Sequence, residues 1–92
     1  MSDDGIERDG IKAGDLVVVT GGGGGFGRAF ARRFARDGAR VAVWDVDAAT
    51  GEETVARIAA AGGEARFIRA DLSRREEIDA AVEQTLQAYG VP

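Results

Sequence analysis

The sequence predicts an α/β domain built on a doubly wound parallel sheet, with its elements in the order βαβαβα. Three observations carry that expectation. Short β-branched apolar runs alternate with segments of helical period, glycines punctuate the joins, and an unbroken glycine run sits between the first strand and the first helix. At 92 residues, 45% of them hydrophobic and 30% charged, there is room for one small globular domain. A chain of this length buries only roughly 60–65% of the surface that its unfolded form exposes, so its core needs a ligand, a partner or more chain to complete it.

The first dozen residues mix acids and glycines without an apolar period and are expected to form an irregular tail over 1–12, with the domain running over 13–92. Leu16-Val17-Val18-Val19 is apolar at every position, the pattern of a parallel strand covered on both faces. From Gly25 to Asp37, the residues Phe26, Ala29, Phe30, Arg33 and Phe34 recur at helical spacing and predict an amphipathic helix that stops at Gly38. Arg40-Val41-Ala42-Val43-Trp44 then reads as a second strand ending at Asp45. Between about Ala48 and Ala61, a stripe of Thr54, Val55, Ile58 and Ala59 predicts a second helix closed by Gly62-Gly63. Ala65 to Ala70 supplies a third strand, and its arginines Arg66 and Arg69 place it toward the sheet edge. Ser73-Arg74-Arg75-Glu76 has the spacing of a capping box, and Ile78, Ala81, Val82, Thr85, Leu86 and Tyr89 repeat at three and four behind it.

Both of the first two crossovers, if right-handed, run toward the third strand and predict a strand order of 3-2-1. The first strand is then left at an edge, although its valines read as central. An apolar edge with unpaired amides invites another strand, so the chain is expected to be an incomplete domain or a subunit that associates, as a homo-oligomer or through that edge.

Twelve Lys+Arg against sixteen Asp+Glu give a net charge of −4 and a pI near 4.7, which argues against a nucleic-acid partner. Without cysteine or histidine, neither a thiolate metal site, nor the usual zinc centre, nor the usual general base is available. The acidic start Met1-Ser2-Asp3-Asp4-Gly5 is unlike a signal peptide, and no apolar run approaches the ~18–20 residues that span a bilayer. A cytoplasmic protein without a membrane partner is the expectation.

Gly21 to Gly25 has the composition of a linker, but its place between a buried strand and a helix favours a phosphate cradle. Stripped of Cβ atoms, such a turn lets a phosphate reach the backbone, where free amides and the positive end of the helix dipole meet it. Gly22, Gly24 and Gly27 satisfy Gly-x-Gly-x-x-Gly, while Thr20, Gly21, Gly25 and Gly27 satisfy Thr-Gly-x-x-x-Gly-x-Gly. Asp45, eighteen residues past Gly27 at the end of the second strand, is placed to accept hydrogen bonds from a ribose diol. The same carboxylate would repel a ribose 2′-phosphate, and neither Gly24 nor Val46 offers a compensating cation. NAD is therefore expected over NADP, with Arg28 and Arg40 as the residues that would reverse the preference.

Through Val17-Val18-Val19-Thr20-Gly21-Gly22-Gly23-Gly24-Gly25-Phe26-Gly27-Arg28-Ala29, the chain resembles the short-chain dehydrogenase/reductase family. Asp37 to Asp45 looks like that family's second strand, and Arg69-Ala70-Asp71-Leu72-Ser73 like its acid-plus-aliphatic signature after the third. The resemblance spans about Lys12 to Gly90. It implies the amino-terminal half of a Rossmann fold in which Gly21, Gly25 and Gly27 shape the pyrophosphate turn, with Gly24 and Phe26 among the cofactor-binding residues. It further implies that Asp45 holds the adenosine ribose and that Asp71 with Leu72 borders the adenine. Gly23 and Gly24 depart from the family, which often carries a small polar residue there.

The resemblance also implies an oxidoreductase that moves a hydride between nicotinamide and an alcohol or carbonyl, using a serine and a Tyr-x-x-x-Lys pair. No such set is present: Tyr89 lies on an apolar stripe with no lysine after it, the only lysine is Lys12, and Ser73 reads as a cap. No catalytic residue is assigned. A non-catalytic nucleotide-binding or oligomer-assembly module is the alternative, and a chain that binds nothing well is a third.

Overall fold

The strands β1 (Leu16–Thr20), β2 (Arg40–Asp45) and β3 (Glu64–Arg69) alternate with the helices α1 (Gly25–Arg36), α2 (Ala48–Ala60) and α3 (Arg75–Ala88). The computed structural model describes residues 12–90. Of the tail expected over 1–12, all but Lys12 falls outside the described residues, as do Val91 and Pro92. The three strands are parallel and pair in the order β1-β2-β3, which is the expected 3-2-1 read from the other edge. Val17 stands opposite Val41 and Val19 opposite Val43 on one side of β2, and Trp44 stands opposite Ile68 on the other.

Side chains alternate across a strand, so this register sorts them into two cores. On one face Val19, Val41 and Val43 pack with Ala31 and Ala35 of α1, Ile58 of α2, and the partly buried Phe34, Val55 and Phe67. On the other, Ala42, Trp44, Ile68 and Ala70 pack with Ala81 of α3 and with Tyr89. Two helices on one face and one on the other make the sheet doubly wound. Polar groups inside the second core are matched: the Trp44 indole donates to Thr85 Oγ1 at 2.9 Å, and Thr85 donates in turn to the Ala81 carbonyl at 2.7 Å.

The helix α1 lies in a different rotational phase from the expected one. Ala31 and Ala35 are buried, whereas Phe26 is 84% exposed and Phe30 56% exposed. A Cβ on Gly27 would run into the Gly21 carbonyl, so Gly27 is the residue that faces the strand. With Gly27 inward, positions 31, 34 and 35 follow it at helical spacing and the phenylalanines at 26 and 30 turn outward. Ala59, expected on the stripe of α2, is likewise exposed, and Gly51 joins the expected Thr54 and Ile58 in the buried line.

The capping box expected at Ser73 does not form. The Ser73 hydroxyl donates to Asp71 Oδ1 at 2.6 Å and its amide donates to the same oxygen at 3.0 Å. The N-cap of α3 is Arg74, without a side-chain bond. Glu77, one residue past the expected Glu76, reaches back to accept from the Asp71 amide at 2.9 Å. A short Asx-type turn thus wins the serine that the helix would have used.

Tyr89 is buried at 9% exposure and donates its hydroxyl to the Val41 carbonyl at 2.6 Å. The Arg40 and Arg66 guanidinium carbons lie 5.4 and 5.8 Å from its ring centre. Burial, with the Glu64 charge behind it, raises the phenol above its ordinary value against the opposing pull of Arg66 and Arg40. Unfolded, this tyrosine ionises near 10, so above that pH the unfolded chain sheds a proton that the folded chain retains. Stability is therefore expected to be full below about pH 10 and to fall as pH rises toward the raised native value. Chemical denaturation of the wild type and Tyr89→Phe across that window checks this. The chain holds one tyrosine, so the variant should lack that part of the slope.

Candidate functional site

All three strands run the same way, so the segments that leave their carboxyl ends share one rim. Past Thr20 the chain makes the glycine turn, with the Gly21 and Gly22 amides donating to the Trp44 carbonyl at 2.7 and 3.4 Å. Gly21 and Gly25 have φ of +66° and +53°, a left-handed backbone that favours glycine. At Gly21, Gly24 and Gly25 nothing lies within 4 Å of where a Cβ would stand, so the outer side of the turn is bare. The extended Gly24 is the N-cap of α1 and offers no side-chain bond, and the first turn of the helix carries no acid. The leading amides of α1 and its positive end thus face the open rim. Phe26 stands in that first turn with its ring exposed.

Asp45 ties the turn to the end of β2. Its Oδ2 accepts from the Gly23 amide at 2.9 Å, and its Oδ1 accepts from the Asp47 amide at 3.0 Å. A carboxylate has about four lone-pair sites, so each oxygen keeps one, the arrangement that suits the two hydroxyls of a vicinal diol. Gly23 was outside the set of residues expected from sequence, and it is central. A Cβ there would stand 2.7 Å from Asp45 Oδ2 and 2.6 Å from Thr50 Oγ1, so the small polar residue that the family often carries would have to push both side chains off the turn. Its signal in the sequence was the unbroken centre of the glycine run.

Neither of the two cations that would welcome a 2′-phosphate is free. Arg28 Nε donates to Thr54 Oγ1 at 2.9 Å, and its Nη2 donates to the Gly23 carbonyl at 2.8 Å and to the Thr50 carbonyl at 3.3 Å. The same nitrogen lies 3.2 Å from Glu53 Oε1. A hydrogen bond from Arg57, and then the charge of Arg28, hold the Glu53 carboxyl below its usual value. Arg40 donates to the Gly14 carbonyl at 2.8 Å and the Tyr89 carbonyl at 3.2 Å, at the opposite end of β2 from Asp45.

Asp71 and Leu72 follow β3 on the same rim, next to Asp45, whose carbonyl accepts from the Ala70 amide at 3.0 Å. Hydrogen bonds from the Ser73 hydroxyl and amide hold the Asp71 carboxyl below its ordinary range. Leu72 is 43% exposed. A separate recess of about 320 Å³, between Arg32, Arg36, Arg57, Ile58 and Gly63, lies at the amino rim and includes none of the glycine turn, Asp45, Asp71 or Leu72. Among the described residues no group of His, Cys, Asp or Glu is placed to hold a metal ion, and no helix is long and apolar enough to cross a membrane.

A sequence model described as short chain dehydrogenase matches residues 15–91. Among curated proteins, the chain is 44% identical over 78 residues to a 2,5-dichloro-2,5-cyclohexadiene-1,4-diol dehydrogenase of Sphingobium indicum, covering 85% of this chain and 30% of that protein. Among solved structures, a short-chain dehydrogenase/reductase from Burkholderia phymatum in complex with NAD superposes with a TM-score of 0.82 at 38% identity, over 87% of this chain and 28% of that one. A metagenomic short-chain oxidoreductase in complex with NADP gives a TM-score of 0.81 at 38% identity, over 86% of this chain and 36% of that one. The chain therefore spans about a third of the length of these relatives.

Proposed function

The chain belongs to the short-chain dehydrogenase family, and on that premise we propose that its carboxyl rim binds NAD for an oxidoreductase acting on an alcohol or carbonyl. The observation that carries the reading is the bond from the Gly23 amide to Asp45 Oδ2. It joins a bare glycine turn at a helix N-terminus to a carboxylate with acceptor capacity to spare, the pairing that a diphosphate beside a ribose requires.

Gly21, Gly24, Gly25 and Gly27 shape the turn and Phe26 stands beside it. Asp45 takes the ribose hydroxyls, and Asp71 and Leu72 border the base. The bound nicotinamide would supply or accept the hydride. This chain's residues orient the nucleotide, and no proton-transferring side chain is assigned among them.

Selectivity for NAD follows from charge. A 2′-phosphate next to Asp45 would meet like-charge repulsion on the order of 1–4 kcal/mol, while Arg28 and Arg40 are engaged elsewhere. Calorimetric titration is expected to show NAD bound at least about fivefold more tightly than NADP. Equal or tighter NADP binding would refute the role given to Asp45.

One feature favours assembly as a second reading. Among the described residues β1 has a neighbour on one side only, and Val18 is 41% exposed on it. Since α3 covers the face opposite α1 and α2, a right-handed crossover from it would reach that same edge of β1. A further strand, from this protein or from a second copy, would satisfy the edge and cover Val18.

A further inference from the structure

Arg28 is the most heavily engaged cation at the rim, and the nucleotide reading does not use it. Its side chain is only 21% exposed, and its donors are spread over two separate elements. The Nε is spent on the buried Thr54 of α2, while Nη2 spans the Gly23 and Thr50 carbonyls. Gly23 is thereby gripped from both ends of its residue, because its amide donates to Asp45 Oδ2 and its carbonyl accepts from Arg28. The planar guanidinium suits this task, since its fork presents donors in fixed directions that a lysine cannot reproduce.

We propose that Arg28 is a positioning residue for dinucleotide recognition: it fixes the centre of the glycine turn against Asp45, so that the phosphate-facing amides and the ribose-facing carboxylate are set as one rigid unit. The role rests on the nucleotide reading above and adds to it a residue that never touches the ligand. Without the guanidinium, Gly23 keeps one anchor, and its amide becomes free to swing from Asp45. Asp45 would then lose the bond that orients Oδ2 and leaves the second lone pair aimed at the rim. A preorganised site loses affinity when its supporting contacts loosen, even though every contacting group is still present.

The test uses the full chain with Arg28→Met, Arg28→Lys, Asp45→Asn and the Arg28→Met/Asp45→Asn pair, read by NAD titration and by amide exchange at Gly23. Arg28→Met should weaken NAD on the order of tenfold and speed exchange of the Gly23 amide. In the double variant the two losses should be markedly less than multiplicative, because Arg28 acts through Gly23 and Asp45. A residue that merely glued α1 to α2 would give multiplicative losses and leave Gly23 protected, and either result overturns the proposal. Should Arg28→Met fail to fold, Arg28→Lys carries the test: Gly23 protection and NAD affinity are expected to fall together, and a fall in affinity alone, or in neither, overturns it. A wild-type chain that binds neither dinucleotide overturns the nucleotide reading and this role with it. NAD binding by the wild type and equally by Arg28→Met overturns this role alone.

Discussion

Gly27→Ala should abolish measurable dinucleotide binding and lower the melting temperature by roughly 5–20 °C. The added Cβ would collide with the Gly21 carbonyl and crowd the Gly22 Cα at 2.9 Å, and both are backbone atoms that no rotamer change can move. Either α1 lifts from the strand or the turn deforms, and forced overpacking of this kind costs about 1–3 kcal/mol. In a domain of this size each kcal/mol shifts the midpoint by about 4–8 °C. Thermal denaturation and NAD titration of the same sample check both halves, and a variant that melts and binds like the wild type would show that the helix does not rest on Gly27. Position 23 differs in kind, because there a Cβ meets the ends of the Asp45 and Thr50 side chains, which can rotate aside.

Asp45→Asn should weaken NAD by roughly 10–100-fold and bring NADP to within a few-fold of it. The aspartate accepts two backbone amides, one on each oxygen. An asparagine amide accepts on one oxygen only, so its NH₂ must face either the Gly23 or the Asp47 amide, donor against donor. One ribose acceptor is lost as well, and each hydrogen bond to a charged group is worth about 1.5–3 kcal/mol. Removing the charge also removes the repulsion of a 2′-phosphate, which is why the two cofactors should converge. Titrating both dinucleotides into the variant checks this. An unchanged NAD to NADP ratio would mean that selectivity resides elsewhere.

Much of the site was legible because its signals are local. A β-branched run, a glycine turn and an acid at the end of the next strand must lie on one rim once the strands are parallel, and in the folded chain Gly23 and Asp45 do share a hydrogen bond. Helix phase was not legible in the same way. Phe26, Phe30 and Phe34 look like one apolar stripe, yet Phe26 and Phe30 are exposed, since the close approach of Gly27 to the Gly21 carbonyl sets the rotation of α1 and aromatic spacing does not. Ser73 was misread for a related reason. Its hydroxyl has two competing uses, accepting from a helix amide or donating to the Asp71 carboxylate, and the path of the chain after β3 favours the second.

By itself the sequence determined the order of the elements, the parallel sheet and the residues that meet at the carboxyl rim, because each follows from residue period, glycine placement and the hand of the crossover, all of which act over short stretches of chain. The tertiary structure alone decided that Gly23 would pack against Asp45 and Thr50, that Arg28 would turn inward to hold its carbonyl, and that two phenylalanines would face outward. Those outcomes depend on atoms that are distant in sequence coming within a few ångströms of one another, and at such distances steric exclusion and hydrogen-bond geometry override what any one segment prefers.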